Sequence, residues 1–166
     1  MRRIQTPISD EMIKSLNVGD MVYISGYIFC GRDAVLPQIV KEIEKGILDS
    51  GIDLRGSVIF HTAVSPAGIG PTSSNKLEIE SSMVPLSNAG IKIHLGKGKI
   101  KAETVNALAE RNAVYAVIPP VTALLESKTS ERKCVAHPEL GMEALYRVKV
   151  EDYPVIIAAA GGRSIY

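Results

Sequence analysis

The stretch that decides the fold is residues 91–111, IKIHLGKGKIKAETVNALAER. Apolar side chains alternate with others at Ile91, Ile93 and Leu95, which predicts a buried strand. A turn with two glycines follows, and a helix is expected over residues 102–111. A strand that passes through a short loop into a helix is the repeating unit of an α/β fold with a parallel or mixed sheet.

Two further strand–helix units precede this stretch. Residues 21–29 are rich in β-branched and aromatic side chains, which favour a strand, and helical apolar spacing follows from Pro37 to Leu48. Residues 57–61 predict a short buried strand, and a helix is expected over residues 77–88. Residues 62–74 lie between these two elements and show no regular spacing. A loop of this length inside a compact domain is usually functional or mobile.

The remaining segments complete one α/β domain. Residues 1–166 contain no internal repeat and no linker rich in Gly, Ser or Pro, so they predict a single domain whose mixed sheet is flanked by helices. The helical spacing of Ile39, Ile43 and Ile47 is expected to face the core. The other predicted elements are a short helix from the N-cap Ser9 to about Leu16, strands over 113–118, 143–150 and 155–160, and a short helix over 121–127.

The composition excludes several classes of protein. Apolar residues make up 46% of the chain and charged residues 22%, which is enough for a real core. The 19 Lys and Arg nearly balance the 18 Asp and Glu, which argues against general binding to nucleic acid or an anionic membrane. No apolar run reaches the roughly 18 residues of a membrane helix. The first residues, MRRIQTPISDEM, lack the apolar core of a signal peptide, so the expected compartment is the cytoplasm.

The cysteines and histidines predict no metal site. Cys30 and Cys134 lie far apart in the sequence, form no CxxC pattern, and are expected to be free thiols. Two cysteines are also too few for an iron–sulfur cluster, which takes about three or four thiolates. His61 ends a strand, so it is either a proton-transfer group or a hydrogen-bonded structural histidine. His94 is expected to be structural, and His137 beside Pro138 predicts a surface turn.

Ligands gather at the carboxyl ends of strands in α/β sheets, so the loops after Phe29, His61 and Leu95 are candidate walls of one site. The first of these loops is Gly31-Arg32-Asp33. The guanidinium of Arg32 is suited to bidentate binding of a carboxylate. The alternative interpretation is a surface ion pair between Arg32 and Asp33, or a helix cap formed by Asp33.

The second segment is residues 70–76, GPTSSNK. Its hydroxyl and amide groups stand at an expected helix start, where free backbone N–H groups attract anions, and Lys76 adds a positive charge. The alternative is an ordinary N-cap loop rich in Ser and Thr.

The third segment is residues 96–99, GKGK, between a strand and a helix. Two glycines permit close approach to a ligand and Lys97 supplies charge, although the pattern is not a P-loop and also fits a solvated turn. Taken together, Arg32, Lys76 and Lys97 match an anion with two carboxylates, and Thr72 and Ser73 offer hydrogen bonds to its hydroxyl group.

The ordered set of motifs resembles the β region of the class I (iron–sulfur) fumarase and L-tartrate dehydratase family, over nearly the whole chain. The matching stretches are Val18–Asp20, Ser25-Gly26, Arg32-Asp33, Phe60-His61, Gly70–Ser73, Gly96–Gly98, Glu139–Ala144 and Asp152–Pro154.

The resemblance implies a swivelling β/β/α domain that works with a partner α subunit or domain. The partner would carry a [4Fe–4S] cluster on three cysteines, and the open iron of the cluster would act as a Lewis acid. The implied activity is that of a hydro-lyase acting on a dicarboxylate, with fumarate and malate first, as in the tricarboxylic acid cycle. L(+)-tartrate is the nearest competitor. A hetero-oligomer is expected, with a homodimer when the chain is alone.

The resemblance also implies roles for five residues. Thr72 matches a threonine proposed to take part in proton transfer, and it would need a basic partner because an unaided hydroxyl is a poor base. Arg32 and Lys97 would bind the substrate's carboxylates. Ser73 would hydrogen-bond the substrate, and Lys76 stands where many members have an arginine.

Several positions depart from the family pattern. Many members have a histidine shortly after Arg-Asp, where this chain has Ala34-Val35-Leu36-Pro37. Lys76 keeps the charge of arginine but lacks its bidentate fork. Ala158–Ala160 stand where an aspartate is common, and the segment between His61 and Gly70 is short. A non-catalytic dicarboxylate-binding module, or a structural partner that only caps an α subunit, are the alternatives from other classes.

Overall fold

The computed structural model describes residues 2–65, 68–72, 76–119 and 128–166. Nine strands and four α-helices are found in these ranges, with one 3-10 helix at Pro138–Glu143. In chain order they are β1 (Arg2–Gln5), α1 (Asp10–Lys14), β2 (Met21–Gly31), α2 (Leu36–Lys45), β3 (Val58–Ser65), β4 (Gly68–Thr72), α3 (Lys76–Asn88), β5 (Ile93–Gly96), α4 (Ala102–Glu110), β6 (Val114–Val117), β7 (Thr129–Ala136), β8 (Leu145–Ala160) and β9 (Arg163–Ser164).

Five strands form a closed ring. Strands β2, β3, β5 and β6 are parallel neighbours in that order. Strand β8 runs antiparallel to β6 on one side of the ring and to β2 on the other, which closes it. Strand β1 extends β2 in parallel, and β4, β7 and β9 add antiparallel pairings. The predicted α/β fold with a mixed sheet is therefore confirmed, and the swivelling β/β/α description stays a prediction.

The interior of the ring is apolar. One buried cluster draws on all five ring strands, with Val22, Phe60, Leu95, Ala116 and Val148 as examples. Successive residues of a strand point to opposite faces, so the neighbours of these residues face the helices outside. The outer layer is formed by two more clusters, one around α2 that includes Leu36, Ile39 and Ile59, and one around α3 and α4 that includes Met83, Leu108 and Tyr115.

Two sequence predictions about strands were wrong. The segment expected to be an irregular loop, residues 62–74, contains the end of β3 and the antiparallel strand β4, with Thr62 paired to Thr72. The two late strands are one strand of 16 residues, β8. A bulge lies opposite Ser25, whose Oγ accepts a hydrogen bond from the N–H of Asp152 at 2.9 Å, and β8 pairs with β2 on both sides of it.

Helix boundaries agree more closely with the sequence. The side chain of Ser9 caps α1 as predicted, and Ile91, Ile93 and Leu95 are fully buried. The core assignment of Ile47 was wrong, because α2 ends at Lys45 and the Ile47 side chain is 66% exposed. The short helix expected over 121–127 lies outside the described residues. Among those described, no helix is both long and apolar enough to span a membrane.

Candidate functional site

The carboxyl ends of three parallel strands meet at one edge of the ring. Gly31 of β2 pairs with His61 of β3, and the next pair, Phe60 with Leu95, places Gly96 of β5 at the level of His61. We call this edge, defined by Gly31, His61 and Gly96, the rim. Arg32 and Lys97 follow two of these residues directly, so the structure brings both positions to the rim, as expected for a common site.

Strand β4 brings a third segment to the rim. Thr72 pairs with Thr62, which directly follows His61. The backbone of Thr72 therefore lies beside the rim. Lys76 is the first residue of α3, and Ser73 lies outside the described residues. The roles assigned to these residues and to Arg32 and Lys97 stay predictions.

Arg32 is held at the start of α2. Its carbonyl oxygen accepts hydrogen bonds from the N–H groups of Val35 at 3.3 Å and Leu36 at 3.0 Å. Its side chain is 31% exposed, and the Nε atom lies 3.8 Å from Oε1 of Glu143. That Nε is shielded from solvent and has no hydrogen-bond partner in the described part of the chain. The guanidinium thus faces Glu143 on one side and remains partly exposed.

The Gly-Lys-Gly turn has a fixed shape. A Cβ on Gly96 would lie 2.8 Å from Cε1 and 2.9 Å from the hydroxyl of Tyr115, so only glycine fits there. The Tyr115 hydroxyl donates a hydrogen bond to the carbonyl of Gly98 at 2.9 Å, and Gly98 has a φ of 75°. Lys97, between these two anchored glycines, is exposed to solvent. The turn therefore presents the Lys97 position at the rim.

Two histidines lie buried behind the rim. The rings of His61 and His94 stack with centroids 6.3 Å apart, and Nε2 of His94 lies 2.7 Å from Oγ of Ser87. Burial lowers the pKa of His61 to about 4. It also lowers the pKa of His94, and the neighbouring His61 adds to that effect. Both rings are therefore neutral near pH 7. Neither ring nitrogen of His61 has a hydrogen-bond partner among the described residues, whereas His94 has the structural contact expected of it.

Sequence reasoning missed two residues that shape the rim. Tyr115 fixes the turn around Lys97, and its place inside a short apolar strand gave no signal of that contact. Glu143 faces Arg32, and the sequence placed it within the family-like stretch Glu139–Ala144 without giving it a role. Its charge, which Glu139 shares within this stretch, was the available signal.

The described residues contain no group of three or more His, Cys, Asp or Glu side chains that could hold a metal ion. Both cysteines are free, and burial raises the pKa of the Cys30 thiol far above its ordinary value. Cys30 is consequently a protonated thiol within the apolar interior.

Comparison with known proteins identifies the family. A model of the family described as "Fumarase C-terminus" matches residues 2–166. The chain belongs to this family. The resemblance inferred from the ordered motifs is thereby confirmed.

Members of the Fumarase C-terminus family differ in overall length. The chain is 32% identical to a Methanocaldococcus jannaschii protein provisionally named L(+)-tartrate dehydratase subunit beta, over 93% of this chain and 85% of that protein. It is 27% identical to the L(+)-tartrate dehydratase subunit beta of Escherichia coli, covering 93% of this chain and 81% of that protein. It is 28% identical to the anaerobic class I fumarate hydratase of Escherichia coli, over 84% of this chain and only 27% of that enzyme. The chain thus spans under a third of the fumarate hydratases it matches.

Proposed function

We propose that this chain is the β component of an iron–sulfur-dependent hydro-lyase that reversibly adds water to a dicarboxylate, with fumarate and malate as the substrate pair. The observation that carries the proposal is the convergence of Arg32 and Lys97 at one rim, beside the backbone of Thr72. Fumarate carries two carboxylates, and two cations on separate turns match both ends of such an anion. The family match over residues 2–166 supports the same conclusion.

The proposed division of labour follows from the chemistry of each group. Arg32 binds one carboxylate through its planar fork, and Lys97 attracts the second as a flexible point charge. Thr72 takes part in proton transfer at the carbon beside the carboxylate, assisted by a base that the partner supplies. Ser73 hydrogen-bonds the substrate, and Lys76 adds positive charge.

We assign the [4Fe–4S] cluster to a partner subunit. The whole sequence contains two cysteines, fewer than the three or four thiolates such a cluster takes. Cys30 is moreover buried as a thiol in the apolar interior. The residues of this chain therefore do not fit the cluster. The relatives of similar length are named as subunits beta, which supports a separate α partner and a hetero-oligomer.

L(+)-tartrate is the second candidate substrate. The proteins that this chain matches along most of their length are named as tartrate dehydratase subunits, and the matched fumarate hydratases are much longer. Both candidates are small dicarboxylates, so the same cationic rim suits either.

The decisive experiment is anaerobic co-expression with a candidate α subunit, followed by assays with fumarate, malate, L(+)-tartrate and their methylated relatives. We expect the assembled complex to turn over one of these dicarboxylates and this chain alone to turn over none. A complex that assembles with a loaded cluster but turns over none of them contradicts the proposal. Dicarboxylate binding without turnover would instead indicate a binding module.

A further inference from the structure

We propose that Glu143 is a positioning residue that presets Arg32 for the substrate carboxylate. The inference rests on the proposed function and deepens it, since it concerns the same site. Its basis is the ion pair between Nε of Arg32 and Oε1 of Glu143 at 3.8 Å, made to a nitrogen that is shielded from solvent. Removing this carboxylate would remove the ion pair that Arg32 makes within the described part of the chain.

The segment that carries Glu143 is anchored independently of Arg32. At one end, Nε2 of His137 lies 2.7 Å from Oε1 of Glu42 on α2, the helix that begins just after Arg32. At the other end, the Tyr146 hydroxyl donates a hydrogen bond to the carbonyl of Gly141 at 3.0 Å. The 3-10 helix is thus tied to the same helix that positions Arg32, so the fold sets the backbone positions from which the two side chains approach each other.

The Arg32–Glu143 pair acts on the ε nitrogen and leaves the terminal nitrogens to the ligand. The ion pair with Glu143 is made at Nε, which lies 3.8 Å from Oε1 of that residue. A bidentate contact to a carboxylate uses the planar edge of the guanidinium. An ion pair to Nε restricts the rotamers of Arg32 before binding, so less side-chain entropy is lost when the substrate binds. Arg32 would be oriented before substrate arrives.

Two effects of Glu143 on binding have opposite signs, which makes the proposal testable. A carboxylate near the site repels a dicarboxylate, so a bystander Glu143 would weaken binding, and its removal would lower KM. A positioning Glu143 strengthens binding, and its removal would raise KM. The direction of the change in KM therefore distinguishes the two roles.

The first test follows Arg32 directly in the folded chain, without any activity. The Arg32 Nε–H signal is recorded by ¹⁵N NMR in the wild type, in Glu143→Gln and in the matched control Glu139→Gln. Glu139 belongs to the same 3-10 helix but lies beside His137. We expect solvent exchange of the Arg32 Nε–H to be roughly two- to fivefold faster in Glu143→Gln only. Equal exchange in the wild type and Glu143→Gln overturns the proposal.

The second test is a kinetic double-mutant cycle in the assembled complex. Glu143→Gln should raise KM about two- to fivefold with kcat nearly unchanged, while Glu139→Gln should leave both values unchanged. In an Arg32→Ala background, Glu143→Gln should no longer raise KM, because the residue it orients is gone. A lower KM in Glu143→Gln, or an equal effect in both backgrounds, overturns the proposal.

The two tests separate this inference from the proposed function. If the wild-type complex turns over no dicarboxylate, the proposed function fails, and the NMR comparison still decides whether Glu143 orients Arg32. If the wild-type complex is active and the Glu143 variants match it in both tests, only the positioning role fails.

Discussion

The two cationic residues at the rim differ in exposure and in their contacts. Arg32 is half-buried, faces Glu143 and supports the first turn of α2 with its carbonyl. Lys97 is exposed on a turn whose backbone is fixed on both sides. A rigid fork and a mobile ammonium at one rim suit an anion that is held firmly at one end and attracted loosely at the other.

The role proposed for Thr72 in proton transfer can be tested by substitution. In the assembled enzyme, Thr72→Ala should lower kcat by about 10²- to 10⁴-fold, the usual contribution of a positioned proton-transfer group. Thr72→Ser, which keeps the hydroxyl, should retain most of the activity. Circular dichroism and thermal melting should show the same fold in both variants. A loss of only a few-fold in Thr72→Ala contradicts the assigned role.

The two rim cations are expected to act chiefly on substrate binding. Arg32→Ala and Lys97→Ala should each lower kcat/KM by about tenfold or more, since hydrogen bonds to charged groups contribute roughly 1.5–3 kcal/mol. Arg55→Ala is the matched control, because Arg55 is 83% exposed and pairs locally with Asp53. Unchanged kcat/KM in both rim variants would contradict the proposed anion site.

At the scale of elements, the turn after β5 depends on close packing against β6. Gly96→Ala would push a Cβ to within 2.8 Å of the Tyr115 ring, which is held by its bond to Gly98. We expect a loss of about 1–3 kcal/mol in the free energy of unfolding, the usual effect of overpacking. Gly51→Ala is the control, since its new Cβ would meet only a flexible Asp49 carboxylate. Urea denaturation of both variants measures the difference.

The contact between the 3-10 helix and α2 predicts a pH dependence. Burial alone would lower the pKa of His137, but hydrogen bonds from its ring to Glu139 and Glu42 raise it above its ordinary 6.5. A raised folded-state pKa gives stability that is complete below 6.5 and is lost as pH rises through the higher value.

The measurement compares wild type with His137→Gln by urea denaturation across this pH range. The wild-type advantage in the free energy of unfolding should be below about 1 kcal/mol, as for other partly exposed ion pairs, and should disappear on the alkaline side. The difference in the free energy of unfolding between the two proteins reports on His137, because His61 and His94 are present in both. A wild-type stability advantage that grows with pH would contradict the assignment of a positive charge to His137.

Local signals in the sequence predicted some elements and missed others for physical reasons. The N-cap Ser9 and the alternation of Ile91, Ile93 and Leu95 act within a few residues, so the chain itself displays them. Strand β7 has no apolar alternation, because four of its eight residues are exposed and none is buried, and it is formed through its pairing with β8. Long-range pairing of this kind leaves no local pattern.

The meeting of the strand ends at one edge was predictable from the sequence, and the contacts that support the residues there were not. Strand ends mark the rim in any parallel sheet, and the glycines beside Arg32 and Lys97 were visible in the sequence. The Arg32–Glu143 pair joins residues more than a hundred positions apart, and only the closed ring brings them together. The same holds for Tyr115 and the turn around Lys97.

At the scale of the whole molecule, the closed ring should be the most stable part. Amides of β2, β3, β5, β6 and β8 lie between paired strands, so their exchange should require nearly global unfolding. Strands β1 and β9 are short and lie outside the ring, and they should exchange by local opening. Hydrogen-exchange mass spectrometry tests this order. Protection of β1 and β9 equal to that of the ring would contradict it.

Strand β8 pairs with β2 and β6, yet it is translated last among the ring strands. Until it leaves the ribosome, the nascent chain carries β2 and β6 with exposed edges that can recruit strands from other molecules. Barrel closure must then be a late step of biogenesis. A stop codon before residue 145 would leave a product prone to aggregate, and chaperones that shield open strand edges should matter most during that interval.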